Sequence, residues 1–234
     1  AEKLTEVITH NLEALEKMVD YNIANGIRLY RISSDLIPFG SSPVNMLDWP
    51  ETHKEVFDRI GTKIRRGSMR VSFHPGQYTV LNSPIEDVVA RAIEDLIYHD
   101  KILTELGTDA TNKIVLHVGG IYGDKEAALD RFAENFQRLP ESVQNRLIIE
   151  NDDRLYNSEE VLELTNRLQI PSVFDNLHHA INPPPSGGDD RYWIAAAAKT
   201  WKARDGKQKI HYSQQAPGKR PGAHTDTIQL DTFQ

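Results

Sequence analysis

The chain has 234 residues, 39% hydrophobic and 26% charged, which suits one globular domain spanning 1–234. It contains no cysteine, so disulfides and thiolate metal sites are excluded, and any metal must be held by His, Asp and Glu, which favours Mn, Zn, Fe or Mg over copper(I) or iron–sulfur clusters. The net charge of −7 weighs against a broadly basic nucleic-acid surface, although a metal cluster and a local basic loop can supply a positive field that the sum hides.

The first expected element is a helix. Leu4, Val7, Ile8, Leu12, Leu15, Met18, Val19 and Ile23 recur at helical spacing, and Gly26 ends the pattern. A short apolar strand follows at 28–33 (RLYRIS), then a helix within 51–65 and a strand at 70–74 (RVSFH). Ser83-Pro84 opens a helix over 84–106, followed by a strand at 113–118 (KIVLHV) and a helix over 125–138. A strand at 146–151 (RLIIEN) leads to a helix over 158–168, started by Asn157-Ser158. A strand at 172–176 (SVFDN) precedes the proline- and glycine-rich run 182–190, read as a loop over a barrel mouth. A helix over 191–203, a strand at 209–213 (KIHYS) and a loop at 216–223 carrying Lys219 and Arg220 complete the series.

Strict alternation of strand and helix implies a parallel sheet covered by helices. An open doubly wound sheet and a closed barrel both satisfy that pattern. The charged and imidazole side chains stand at the C-terminal ends of nearly all the strands, and a barrel gathers those ends around one centre. The expected fold is therefore an α/β chain forming a TIM (β/α)8 barrel. Six strands are found, and the first and last strands of the eight are expected to lie outside both ends of this chain. No run reaches the ~20 apolar residues needed to span a bilayer, and the N-terminus carries no signal-peptide pattern, so a cytoplasmic protein without a membrane partner is expected.

His74, His117, Glu150, Asp175 and His211 close five successive apolar strands, each followed by turn residues. A lone histidine at a strand end is more often a surface residue than a ligand, but five strands ending alike point to a shared metal site. His178 and His224 add two further candidates, and seven ligands suit two or three ions. Asp175 and His178 do not share strand parity, so the strand is expected to end near Asp175 and the next turn to carry His178 inward. His10, His53 and His99 fall on helices and read as structural or exposed, and only one of His178 and His179 need face the site. Lys209 shares a strand face with His211, so an inward ammonium there must be neutralised, deprotonated or modified. In 74–81 (HPGQYTVL), Pro75-Gly76 forces a turn that presents Gln77 and Tyr78 at the barrel mouth.

At these residues the sequence resembles the UV damage endonuclease family. The resemblance rests on 25–40 (NGIRLYRISSDLIPFG), 72–83 (SFHPGQYTVLNS), 116–120 (LHVGG), 148–152 (IIEND), 174–179 (FDNLHH), 209–213 (KIHYS) and 223–226 (AHTD). It implies a barrel related to those of apurinic endonucleases and sugar isomerases. It implies a monomeric, nucleoid-associated DNA-repair enzyme that uses Mn2+, with Zn2+, Co2+ or Mg2+ as alternatives. That enzyme would nick duplex DNA immediately 5′ of a UV photoproduct, leaving a 3′-hydroxyl and a 5′-phosphate. It implies metal ligation by His74, His117, Glu150, Asp175, His178, His211 and His224, with Glu150, His178 and a carboxylated Lys209 carrying the chemistry. Gln77 and Tyr78 match a pair that wedges into the duplex, and Lys219 and Arg220 would hold phosphates. Two departures stand out. The family's further carboxylate ligand, on its last strand, falls beyond Gln234, and Ser42 stands where the family usually has His. Two other readings fit the ligands: a metal-dependent sugar isomerase or epimerase, and a non-catalytic remnant that binds damaged DNA. The first leaves the Gln-Tyr pair and the basic loop unexplained.

Overall fold

The computed structural model describes residues 2–233. Helix α1 (Glu2–Ala24) buries Ile8, Leu12, Leu15 and Val19, the three- and four-residue spacing that keeps one stripe inward. Gly26, at φ +71°, releases the chain into β1 (Leu29–Arg31). The chain continues through α2 (Trp49–Thr52), α3 (Lys54–Arg66), β2 (Arg70–Ser72), α4 (Glu86–Glu105), β3 (Ile114–His117), α5 (Lys125–Phe136) and α6 (Glu141–Arg146). It ends with β4 (Leu147–Glu150), α7 (Ser158–Leu168), β5 (Ser172–Asp175), α8 (Asn176–Ile181), α9 (Asp190–Ala198) and β6 (Ile210–His211).

Every ladder between these strands is parallel. β1 pairs with β2, a bridge from Phe73 to Ile114 carries the series to β3, and β3, β4, β5 and β6 follow in order. This is the α/β architecture of a TIM barrel, its strands inside and its helices outside. Among the described residues no ladder joins β6 to β1, and Leu29 and Ile210 at those two edges are 46% and 41% exposed.

Strand alternation stacks the barrel interior in layers. At the bottom Lys113, buried, reaches Asp205 Oδ1 at 2.6 Å and the Asn145 carbonyl at 2.8 Å. Two residues further along their strands, Val115, Ile148 and Val173 pack together against Trp201. Two residues further again stand His117, Glu150 and Asp175. A single pleat period thus moves the interior from apolar core to candidate ligand.

Several elements differ from the expectation. The strands are shorter, two to four residues each. The expected helix over 51–65 is two helices that meet at His53, whose ring Nδ1 lies 3.1 Å from the Trp49 carbonyl. Helix α4 starts at Glu86 rather than Pro84, because Ser83 Oγ accepts from the Ile85 amide and holds 83–85 in a turn. The Asn157 start of α7 is a full capping box with Glu160. Helices α6 and α8 were not foreseen. α8 forms because Asp175 caps it, accepting from the His178 amide at 2.8 Å. That cap also settles the parity question, since the helix rather than a turn carries His178 to the barrel mouth. α9 ends at Ala198 instead of 203, where Thr200 Oγ1 accepts from the Ser172 amide and pins the chain to β5.

Candidate metal centre

Glu150 lies at the centre of the mouth and is almost fully buried. Its Oε1 is 2.6 Å from His211 Nδ1 and its Oε2 is 3.0 Å from His74 Nε2. His117 Nε2 and His178 Nδ1 stand 3.7 and 3.8 Å from the same carboxylate. Parallel register produces this convergence: His117 is level with Glu150, and Asp175 is level with His211. Glu150 is level with Val173, so Asp175 and His211 stand two residues higher, the stagger expected of tilted barrel strands.

Two overlapping groups could each hold a metal ion: His74, His117 and Glu150, and Glu150, Asp175 and His211, with ligand atoms within 4.8 Å of one another. The donors are imidazole nitrogens and carboxylate oxygens, the set suited to Mn2+, Zn2+ and similar divalent ions. His117 Nδ1 is buried and has no hydrogen-bond partner among the described residues. Burial pushes the Glu150 carboxyl up, but the His211 and His74 contacts outweigh it and hold the group well below the usual carboxylate range. Burial lowers the His117 ring and raises the Asp175 carboxyl, the latter opposed by the His178 amide.

His178 lies 3.8 Å from Asp175, its Nδ1 2.9 Å from the Asn151 carbonyl. It lines the same cavity as His74, Glu150, Asp175, Lys209, His211 and His224. His224 reaches that wall through an antiparallel bridge to Gln215 and belongs to neither three-residue group. His179 turns away, onto Ser158 Oγ and the rings of Phe174 and Trp193. His53 and His99 are buried structural residues. Lys209 points inward as expected. It is 6% exposed, its Nζ 2.7 Å from Ser72 Oγ, and burial together with Arg31 pushes its pKa down to about 8.

Gln77 lines a second, larger cavity that shares His178 with the first, and Arg220 lies on its wall. Tyr78 is 70% exposed, with its ring over Gly76, where a Cβ would fall 2.4 Å from the ring. Lys219 is exposed on the adjacent turn. Several residues at the mouth escaped sequence reasoning. Asn151 accepts from the Asp175 amide at 2.9 Å and donates to its carbonyl at 3.1 Å, fixing β4 against β5 at ligand height. Arg31 stands on the wall beside Lys209, and Tyr122 and Arg154 line the larger cavity. Only Asn151, adjacent to Glu150, had a local signal.

Parallel strands ending in two overlapping His–carboxylate groups define a β/α barrel whose mouth could hold metal ions. Known proteins place it more narrowly. The family described as UV-endonuclease UvdE matches residues 1–234, and the chain belongs to that family. It is 42% identical over 237 residues to the UV DNA damage endonuclease of Clostridium perfringens, covering 99% of this chain and spanning 56% of that relative's length. The crystal structure of SacUVDE superposes with a TM-score of 0.94 at 38% identity, over 99% of this chain and 78% of that one. D-psicose 3-epimerase from Clostridium cellulolyticum H10 superposes with a TM-score of 0.59 at 14% identity, covering 88% of this chain and 71% of that one, a likeness of fold alone.

Proposed function

We propose that this protein is a DNA-repair endonuclease that nicks a duplex immediately 5′ of a UV photoproduct, leaving a 3′-hydroxyl and a 5′-phosphate. The observation that carries this reading is Glu150 shared between two ligand groups, beside a cavity walled by Gln77 of the HPGQY turn. In this reading His74, His117 and Glu150 hold one divalent ion, Glu150, Asp175 and His211 a second, and His178 and His224 complete the set. Bound there, two or three divalent ions, Mn2+ foremost, would supply Lewis acidity for displacement at phosphorus.

The chain's own residues prepare that chemistry. Glu150 stays ionised at the barrel centre and offers one oxygen to each group. The Asn151 carbonyl occupies His178 Nδ1, leaving Nε2 to ligate or to carry a proton at the mouth. Lys209, with its depressed pKa and its amine held on Ser72, suits carboxylation: its nitrogen takes up CO2, loses a proton and becomes an anionic carbamate facing the ligands. Gln77 and Tyr78 probe the lesion, while Lys219 and Arg220 hold phosphates, so binding weakens as salt rises.

The test is a duplex carrying a single cyclobutane dimer, incubated with Mn2+. A nick confined to the 5′ side of the dimer is expected. Equal nicking of undamaged duplex would refute lesion specificity, and sugar turnover without DNA affinity would overturn the reading in favour of an epimerase. Changing Gln77 and Tyr78 to Ala should lower the preference for damaged duplex by ~10-fold or more while leaving bound metal unchanged. A parallel loss of metal would contradict the probing role.

A further inference from the structure

Residues 216–223 (APGKRPGA) carry Pro-Gly twice, each pair flanked by a residue on either side, and each copy folds as a tight turn. The Lys219 amide donates to the Ala216 carbonyl at 3.2 Å, and the Ala223 amide to the Arg220 carbonyl at 3.1 Å. Gly218 and Gly222 stand third in their turns at φ +69° and +83°, the left-handed conformation that a Pro-Gly type II turn requires. Lys219 closes the first turn and Arg220 opens the second, so the two cations are neighbours at the junction. Both are exposed, and neither side chain has a partner among the described residues.

One side chain ties the two turns together. Gln215 Nε2 donates to the Arg220 carbonyl at 3.0 Å and to the Ala216 carbonyl at 3.1 Å, with the Lys219 carbonyl at 3.5 Å. Its Oε1 accepts from the Gly222 amide at 2.8 Å. The same residue's backbone bridges antiparallel to His224. That bridge is flanked by the Ala216 amide on the Ala223 carbonyl at 2.7 Å and the Thr225 amide on the Gln214 carbonyl at 2.9 Å. The stem below is fixed as well. Asn176 donates to the Ser213 carbonyl at 3.0 Å and accepts from the Ser213 amide at 2.9 Å, and Asn176 directly follows the candidate ligand Asp175.

The loop stands between the two cavities of the mouth: Arg220 lines the larger one and His224 the one that holds Glu150. Building on the endonuclease reading, we propose that Gln215 is a positioning residue that sets two functions at once, placing Lys219 and Arg220 for DNA phosphates and His224 for a metal ion. An exposed glutamine gains little from burial, so its four polar contacts act on the loop alone. Without them the two turns keep their Pro-Gly conformations but lose their relation to each other and to the His224 bridge. Phosphate and metal ion must then each order the loop on binding, and that entropy cost lowers both affinities.

The experiment reads three quantities on the whole chain. These are affinity for a labelled duplex with one cyclobutane dimer in EDTA across a salt series, Mn2+ affinity without DNA, and the metal-free melting temperature. Gln215→Ala should weaken duplex binding by ~5-fold or more and lower the slope of log affinity against log salt by roughly 1 to 2, although it removes no charge. It should weaken at least one Mn2+ site by ~10-fold. The melting temperature should hold, because an exposed loop opens independently of the core. Gln215→Met, similar in length but without the hydrogen bonds, should match Gln215→Ala. Added to Lys219→Gln and Arg220→Gln, Gln215→Ala should leave the slope where those two changes put it, yet still weaken Mn2+ binding. A wild-type slope and Mn2+ affinity in Gln215→Ala, wild-type binding in Gln215→Met, a further fall of slope in the triple variant, or a sharp fall in melting temperature would each overturn the role. Gln215-dependent slope and Mn2+ affinity in a chain that binds DNA but never nicks it would refute the endonuclease reading alone, whereas no wild-type affinity for DNA would refute both.

Discussion

Lys209 sits where the barrel can least accommodate an ammonium: its nearest partner is a neutral hydroxyl, and Arg31 adds repulsion. A lysine with a pKa of about 8 when folded and near 10.4 when unfolded binds fewer protons in the folded state across that interval. The destabilisation is fully present below pH 8 and is relieved as pH rises from 8 towards 10.4. In metal-free, CO2-free buffer, denaturant melts should therefore show stability increasing over that window. Lys209→Met should abolish the increase and stabilise the protein at pH 7 by up to roughly 3 kcal/mol, while nicking is lost. Glu150 has the opposite character, since it is the anion common to both ligand groups. Glu150→Gln should release at least one ion per chain by elemental analysis and lower nicking by ~100-fold or more. Both side chains were legible before the structure, because strand parity alone aligns 209 with 211 and the apolar run 147–149 ends on Glu150. The contacts that tune Lys209, buried Ser72 and exposed Arg31, lie far off in sequence and left no local trace.

The 75–81 turn is an element with little regular structure, yet it is held from beneath. Thr79 Oγ1 donates to Asp95 Oδ2 at 2.6 Å, both residues buried, and Asp95 belongs to α4. Thr79→Val would strand a buried carboxylate oxygen. It should cost about 1–3 kcal/mol in stability and blunt lesion discrimination, with Thr79→Ser restoring both, as chemical denaturation and paired nicking assays would read. α1 and α3 are joined differently, by Arg59 and Lys63 on Glu16 at 2.8 and 2.9 Å. Those hydrogen bonds hold the Glu16 carboxyl down at about 2, so the stabilisation is present above pH 4.5 and is lost as pH falls towards 2. The cluster is solvent-screened, so Glu16→Gln should lower stability at pH 7 by only about 0.5 kcal/mol, and the difference should vanish near pH 2. Elements with strong periodicity, such as α1 and α7, were readable from spacing and caps. α8 was not, because its six residues carry no periodic stripe and its start depends on a candidate ligand, Asp175, doubling as a cap.

At the scale of the whole molecule, the layered interior explains why so much of the site could be read in advance. Above the Lys113 layer the inward positions are apolar until the strands reach the mouth, so the next polar inward residue marks the site, as at His117, Glu150 and Asp175. His224 follows no such rule. It arrives on an irregular return paired with Gln215, and nothing in the order of residues states which wall it joins. The barrel interior also binds distant parts of the chain. Arg70 Nη1 donates to the Lys207 carbonyl at 2.7 Å and Lys209 donates to Ser72, each contact spanning 137 residues. Loop closure on that scale is slow, and it rewards nothing until β6 docks. His211 enters with β6, so the second ligand group cannot exist in any partly folded species that lacks this strand. Refolding should therefore produce helices and the His74–His117–Glu150 group early and gain the second group in the last kinetic step, which makes metal uptake a clock for the docking of β6.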